Sequence, residues 1–251
     1  MNNLDVNIKR LFKKLGIKKN DNLMMHGDSG VIEQLNHNKK FDFFFNKIEN
    51  YIGIGGTILV PSFSYSFCKN RKFDLRNNPS EVGMFSEKFR LRKNIKRTEH
   101  PIFSFSIFGK NWKIYNNANL KTCFGKGSVF DIFHNLNGKI ITFGTTFENS
   151  ATFLHYIEQS AMVHYRFNKR FTGKIINGKK IKKVETNFYV RKRKFNKEFK
   201  KPPPYKHILK KCEFGRYFVY SIDAKKLFDF CIKKMKKNDD FLVNLLILKF
   251  I

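Results

Sequence analysis

Residues 22–30, N-L-M-M-H-G-D-S-G, set how the rest of the chain is read, because a short apolar run stops at a polar turn flanked by glycines. A run of this length with this punctuation is a buried strand feeding a loop. From Val31 to Ile52 apolar residues recur at helical spacing and end at Gly53, and Gly56 to Pro61 is a second short β-rich run. Strand, loop, helix and strand in this order predict a βαβ unit with a parallel pair.

The same reading extends in both directions. Leu4 to Leu15 is an amphipathic entry helix stopped by Gly16, and residues 62–100 form a long polar connection, dotted with aromatics, around a helix at Met84–Leu91. Phe103–Gly109 and Lys139–Gly144 read as strands on either side of a helix at Ser128–Leu136, and Ser150–Ala161 reads as a helix capped by Asn149 or Ser150. Asn177-Gly178 centres an antiparallel hairpin over Lys174–Val190. The basic run R-K-R-K-F-N-K-E-F-K-K, residues 191–201, precedes three prolines and is expected to be a surface loop. Arg216–Ile222 is a further strand and Asp223–Lys237 an amphipathic helix. The expected fold is α/β: a mixed, largely parallel central sheet flanked by helices, with an antiparallel hairpin extension. No Pro, Gly or Ser-rich linker divides the 251 residues, so one domain spanning 1–251 is expected, with the hairpin and basic loop inserted at about 170–205.

Fifty Lys and Arg against 20 Asp and Glu give a formal charge of +30, which attracts anions and repels polycations. Abundant Lys, Asn, Ile and Phe together are also what a gene biased towards A and T produces. Cys68, Cys123, Cys212 and Cys231 show neither a C-x-x-C pair nor metal-ligand spacing, as expected of reduced thiols in a cytoplasmic protein. No metal site is expected. The N-terminus lacks the apolar core of a signal peptide, and no run reaches the roughly 18 residues of a membrane helix. The apolar tail from Leu242 suits packing on the core or in a subunit interface, which leaves a homo-oligomer open.

Three segments carry chemistry: R-T-E-H-P-I-F-S-F-S-I-F-G (97–109), F-G-K-G-S (124–128) and N-S-A-T-F-L-H-Y-I-E (149–158). Histidine, carboxylate, hydroxyl and amide groups gather at the ends of short apolar runs, where α/β folds place their sites. With M-M-H-G-D-S-G (24–30), G-G-T-I-L-V-P-S-F-S (55–64) and F-D-L-R-N-N-P-S-E-V-G (73–83), this ordered set resembles the aminoglycoside 3-N-acetyltransferase family. Its members move an acetyl group from acetyl-coenzyme A to an amine. The resemblance runs from about residue 22 to 161, and weakly to about 235.

The resemblance implies His155, in the L-H-x-x-E motif, as general base, and an imidazole of ordinary pKa about 6.5 suits proton transfer near neutral pH. Glu158, three residues on, shares its helix face and is placed to orient the ring. Glu185, after the hairpin turn, is either a supporting acid or a strand-surface glutamate. The R-x-x-H-P-x-x-S-F pattern (Arg97, His100, Pro101, Ser104, Phe105) implies a cofactor-binding segment, Arg97 pairing with phosphate and the hydroxyls of Thr98 and Ser104 binding pantetheine amides or phosphate. His100 is equally a histidine that fixes a loop. The backbone of Ser29, Gly30 and Val31 offers N–H groups to an anion or the thioester oxygen. Asp28 replaces the hydroxyl residue common in the family and either faces the amine or caps the following helix. Ser64 and Asp74 are expected to shape the acceptor pocket, although a turn alone explains Asp74. Thr152 and Asn149 are expected at the substrate, with capping as the alternative for Asn149.

Direct transfer from acetyl-coenzyme A to an amino sugar is therefore the expected activity. Because aminoglycosides are polycations and this chain carries +30, the expected acceptor is an anionic or nucleotide-linked amino sugar destined for a surface glycan. Aminoglycoside resistance is the alternative within the enzyme class. A basic nucleic-acid-binding protein on an inactive acetyltransferase fold is the alternative outside it, disfavoured because no nucleic-acid motif is present. Neither nucleic acid nor membrane is an expected partner.

Overall fold

The computed structural model describes residues 7–150 and 152–247. Its strands in chain order are β1 (Asn22–Gly27), β2 (Thr57–Pro61), β3 (Lys72–Asp74), β4 (Lys96–Arg97), β5 (Phe105–Gly109), β6 (Lys139–Phe143), β7 (Arg166–Asn177), β8 (Lys180–Arg191), β9 (Phe195–Phe199), β10 (Lys210–Phe214), β11 (Tyr217–Asp223) and β12 (Val243–Ile247). The helices are α1 (Ile8–Leu15), α2 (Gly30–Glu33), α3 (Lys40–Ile52), α4 (Ser66–Asn70), α5 (Met84–Arg90), α6 (Trp112–Asn116), α7 (Val129–Asn135), α8 (Phe147–Ser150), α9 (Phe153–Ser160) and α10 (Ala224–Met235). None of them is long and apolar enough to cross a membrane, among the described residues.

Seven strands form one sheet in the order β10-β11-β6-β1-β2-β5-β4. β1 sits at its centre and pairs in parallel with β2 and β6, as the βαβ reading requires. The pairs outside these three strands are antiparallel, so the mixed sheet is parallel only at its middle. Alternation along β1 sends Leu23 and Met25 into one core, shared with α1, α3 and α5, and Met24 into the other, shared with α7, α9 and α10. His26 follows Met24 by two residues and so faces the α9 side.

Several expectations change in detail. The helix expected from Val31 to Ile52 is two pieces, α2 and α3, because residues 34–39 include Asn36 and Asn38, which favour turns over helix interiors. In α1 the described helix begins at Ile8; Leu4 lies outside the described residues, and Gly16 takes the left-handed conformation (φ 72°) that ends the helix. The hairpin is longer than its turn signal indicated. β7 and β8 pair from Arg166↔Arg191 to Asn177↔Lys180, with Gly178 at φ 60° in the two-residue turn.

The basic run is not a surface loop. Phe195, Lys197 and Phe199 alternate inward within it, which makes β9, and the C-terminal strand β12 pairs with β9 from Val243↔Phe199 to Ile247↔Phe195. The charge of the flanking Lys and Arg hid a period-two pattern. β10, unforeseen, forms a tight hairpin with β11 at the sheet edge.

Arg97 braces the long connection between β2 and β5. Its Nε donates to Ser104 Oγ (3.0 Å), its Nη1 to the carbonyls of Leu75 and Asn78, and its Nη2 to that of Ser62, while the guanidinium lies 4.8 Å from the Phe73 ring. Burial lowers its pKa to about 10. One planar fork thus ties four chain segments together, which an ammonium cannot do. Arg97→Ala should cost about 3 kcal/mol of stability, the scale of lost hydrogen bonds to a charged donor with carbonyls left unpaired. Arg97→Lys should recover little of it. Urea denaturation checks this through the midpoint at constant m-value.

Candidate active site

The C-terminal ends of β1, β2 and β6 open onto a cleft of about 610 Å³, the position where open α/β sheets bind ligands. Its lining includes His26 and Gly27 at the end of β1 with Asp28 and Ser29 beyond it, Phe63 and Tyr65 after β2, Thr145 and the α8–α9 segment after β6, Met84 on α5, and Phe188 on β8. Gly27 is required there, since an added Cβ would lie 2.5 Å from the Phe85 ring of α5. A second groove of about 700 Å³, beside α3 and the α5–β4 connection, contains none of the expected site residues.

The ring of His155 lies between two aromatics, Phe199 stacked at 6.0 Å and Phe124 edge-on at 5.6 Å. Its Nδ1 is 2.7 Å from Glu158 Oε2. Arg166 Nη2 is 2.9 Å from the same oxygen and 3.0 Å from Nδ1. A guanidinium only donates and a carboxylate only accepts, so a proton on Nδ1 directed at Glu158 satisfies all three groups. That tautomer leaves Nε2 with a free lone pair, and the ring lines the cleft with about a quarter of its side chain exposed.

Glu158 itself is fully buried. Tyr165 Oη donates to its Oε1 (2.9 Å), and Lys197 Nζ binds the same oxygen at 2.9 Å. Burial alone would raise the carboxyl pKa, but the His155 hydrogen bond and the charges of Arg166 and Lys197 outweigh it and hold the group well below the usual carboxylate range. Desolvation first, then the Arg166 charge, keep His155 below the ordinary imidazole value against the pull of Glu158, so the ring is neutral at pH 7.

Of the sequence-predicted residues, the cleft brings together Asp28, Ser29, Asn149, Thr152 and His155, with Glu158 directly behind. Asp28 takes the capping role and lies on the cleft lining. Its Oδ1 accepts from Gly30 N (2.7 Å), capping the turn into α2, while the residue remains exposed at the cleft. The N–H groups of Gly30 and Val31 are consumed by Asp28 Oδ1 and Asp28 O, and Val31 is buried in the core, so neither lines the cleft.

The remaining predicted residues lie elsewhere. Thr98 Oγ1 accepts from Phe105 N, Ser104 Oγ donates to Ser62 O, and Phe105 is core. With the buried Arg97 they form an internal brace directed at the protein's own backbone. His100 Nδ1 accepts from Ile102 N and Phe103 N, the loop-fixing alternative. Ser64 donates to Glu81 Oε1, Asp74 folds its own turn through Arg76 N and Asn77 N, and Glu185 pairs with Arg170 on the outer part of the hairpin. Glu185 fails as a partner of His155 because strand alternation gives the inward place to its neighbour Thr186, buried against His100.

Arg166, Lys197, Tyr165 and Phe199 were missed. Only the inward alternation of Phe195, Lys197 and Phe199 carried a trace of them. His26, also unassigned, is 7 % exposed, and its buried Nε2 has no hydrogen-bond partner among the described residues.

Burial lowers His26 to about 3 and His100 to about 4. With the unfolded value near 6.5, the unfolded chain binds these protons between the two pKa values and the folded chain does not, so stability is lost as pH falls below 6.5. His155, held low in the same way, adds a third increment of the same sign, so unfolding free energy should drop by about 4 kcal/mol per pH unit in the middle of that window, three histidines at about 1.36 each. Denaturation at a series of pH values measures the slope, and His100→Phe should remove about a third of it.

Comparison with known proteins agrees with this geometry. The profile of the aminoglycoside 3-N-acetyltransferase family matches residues 24–236. Among solved structures the chain is similar to the aminoglycoside acetyltransferase AAC(3)-Xa (17 % identity, TM-score 0.76, covering 94 % of this chain and 92 % of that one). It is also similar to the YokD protein from Bacillus subtilis (20 %, TM-score 0.71, 92 % and 98 %) and to AAC-IIIb in a binary complex with CoASH (16 %, TM-score 0.72, 90 % and 93 %). The search of curated proteins gives no match. A cleft at the parallel strand ends, a histidine–glutamate pair on its wall and a profile match over most of the length lead to one conclusion: the chain belongs to the aminoglycoside 3-N-acetyltransferase family of acetyl-coenzyme A-dependent N-acetyltransferases.

Proposed function

We propose that this protein acetylates an amine of an aminoglycoside-type amino sugar, with His155 as the general base. The observation that carries the reading is the His155–Glu158 pair, with Nδ1 committed to the carboxylate and the Nε2 lone pair left for the cleft. Relatives of the same fold are described with sisomicin and with a gentamicin bound. Acetyl-coenzyme A supplies the thioester; as the amine nitrogen bonds to the acetyl carbon the C–S bond breaks, and the amine proton passes through His155 Nε2 to the departing thiolate. The apolar side chains of Phe63, Phe103 and Phe188 beside polar Ser29 and Asn149 suit a pantetheine arm next to a sugar ring. Asp28, the carboxylate on the cleft lining, suits a second ammonium of the acceptor. The four free thiols of the chain and this donor suit a cytoplasmic enzyme.

A second reading, an anionic or nucleotide-linked amino sugar, is favoured by where the charge lies. Residues 166–201 hold fifteen Lys and Arg against two Glu, a net +13 in 36 residues, where the whole chain carries +30 in 251. Lys169 is paired across the β7–β8 ladder with the cleft residue Phe188 and shares its face.

His155→Ala should lower kcat by about 100-fold or more with little change in coenzyme A affinity, the size expected for loss of a general base. Thiol release and calorimetry measure the two quantities, and near-wild-type turnover would remove His155 from this role. The acceptor is tested by comparing kcat/KM for kanamycin-type and nucleotide-linked amino sugars at two ionic strengths. Efficient, salt-insensitive turnover of the former supports the first reading. Preference for the latter, weakened by salt, supports the second.

A further inference from the structure

Lys197 is set into the protein in a way the surface lysines are not. Its side chain is 7 % exposed, its Nζ is 2.9 Å from Glu158 Oε1, and the same ammonium lies 3.9 Å from the centroid of Phe199. Phe199, two residues along β9, stacks on His155. One strand therefore reaches both members of the catalytic pair: an ammonium on the carboxylate edge turned away from His155, and a ring on the imidazole face. The strand is held in turn by β12.

The groups around the pair come from three elements. Glu158 comes from α9 itself, Arg166 with its neighbour Tyr165 from the start of β7, and Lys197 from β9. Arg166 holds Oε2, the oxygen that faces His155, and its Nη1 is anchored on Tyr189 O (2.8 Å). Tyr165 and Lys197 share Oε1. A carboxylate gripped at both oxygens cannot turn its plane, so the His155 hydrogen bond keeps one direction. Without Lys197, Oε1 retains a single neutral donor.

We propose that Lys197 is a positioning residue for acetyl transfer, holding the buried Glu158 carboxylate in register with His155 and setting the basicity of the ring through its charge. The inference rests on His155 as the base. Two consequences distinguish it from a packing role. Removing the ammonium takes away a positive charge that disfavours the imidazolium, so the His155 pKa rises. Burial, joined by the charges of Arg166 and of Arg191 at the end of β8, lowers Lys197 itself to about 8 against the pull of Glu158, so the grip weakens as pH rises through that value.

The experiment compares wild type, Lys197→Met and Lys197→Arg in the full chain. Lys197→Met should lower kcat about 10-fold with KM for acetyl-coenzyme A nearly unchanged, and should raise the His155 pKa by about one unit in an NMR titration of the ring nitrogens. Lys197→Arg should restore kcat at neutral pH to within about threefold. It should also move the alkaline limb of the rate profile upward, because a guanidinium does not titrate there. An unchanged His155 titration with wild-type kcat in Lys197→Met would overturn the proposal. If that variant does not fold, an unmoved alkaline limb in Lys197→Arg overturns it equally. The NMR titration needs no acceptor and no turnover, so an active His155→Ala enzyme would sink the assignment of the base while leaving the effect of Lys197 on the ring measurable.

Discussion

A fully buried carboxylate is the constraint around which this half of the molecule is organised. Glu158 has no access to water, and an unpaired charge there would cost several kcal/mol. It is met by an imidazole, a guanidinium, an ammonium and a phenol, drawn from α9, β7 and β9. Those partners dictate local structure. β7 must begin at the end of α9 so that Tyr165 and Arg166 turn inward, and the chain beyond the hairpin must come back to the helix, which is why a strongly basic segment forms strand β9 instead of remaining in solvent. β12 then pairs with that strand. The same arrangement acts on His155: burial first, and then two cations beside one anion, keep the ring neutral at pH 7.

The parts of the fold legible in the sequence are those where burial is complete and local. Asn22–Gly27, Thr57–Pro61 and Lys139–Phe143 read as strands because core packing on both sides removes polar residues from their middles. His155 and Glu158 are legible as a pair because three residues along a helix put them on one face. Arg166 and Lys197 are not, since their meeting depends on strand pairing and chain return, and nothing in a run such as R-K-R-K-F-N-K-E-F-K-K marks which lysine is turned inward. Only the phenylalanines on either side of Lys197 share its parity.

The cofactor segment fails for a different reason. Arg97, Thr98, His100 and Ser104 have the groups that bind phosphates and amides, and the protein interior offers the same chemistry in its own carbonyls and N–H groups. A guanidinium that meets the carbonyls of Ser62, Leu75 and Asn78 is as well satisfied as one that meets a phosphate. Residue type therefore could not separate a binding motif from a brace; burial does, because each of these side chains is closed off from the cleft by the loop it stabilises.

Charge at two length scales frames the acceptor question. Beyond about 8–10 Å at physiological salt the field of the basic hairpin is largely screened, so it governs encounter more than residence. Within the cleft the gross Coulomb attraction of a bound ammonium to the exposed Asp28 at 4 Å is about 4 kcal/mol near a protein surface, of which solvent screening and side-chain ordering leave about 1 kcal/mol. A single nearby carboxylate can thus retain a cation that the outer surface repels, and the fifteen basic residues of 166–201 do not by themselves exclude an amine-rich acceptor. What they do impose is asymmetry: the carboxylate of Asp28 lies on the cleft lining, while the basic residues lie along the hairpin, with Lys169 across the ladder from the cleft residue Phe188.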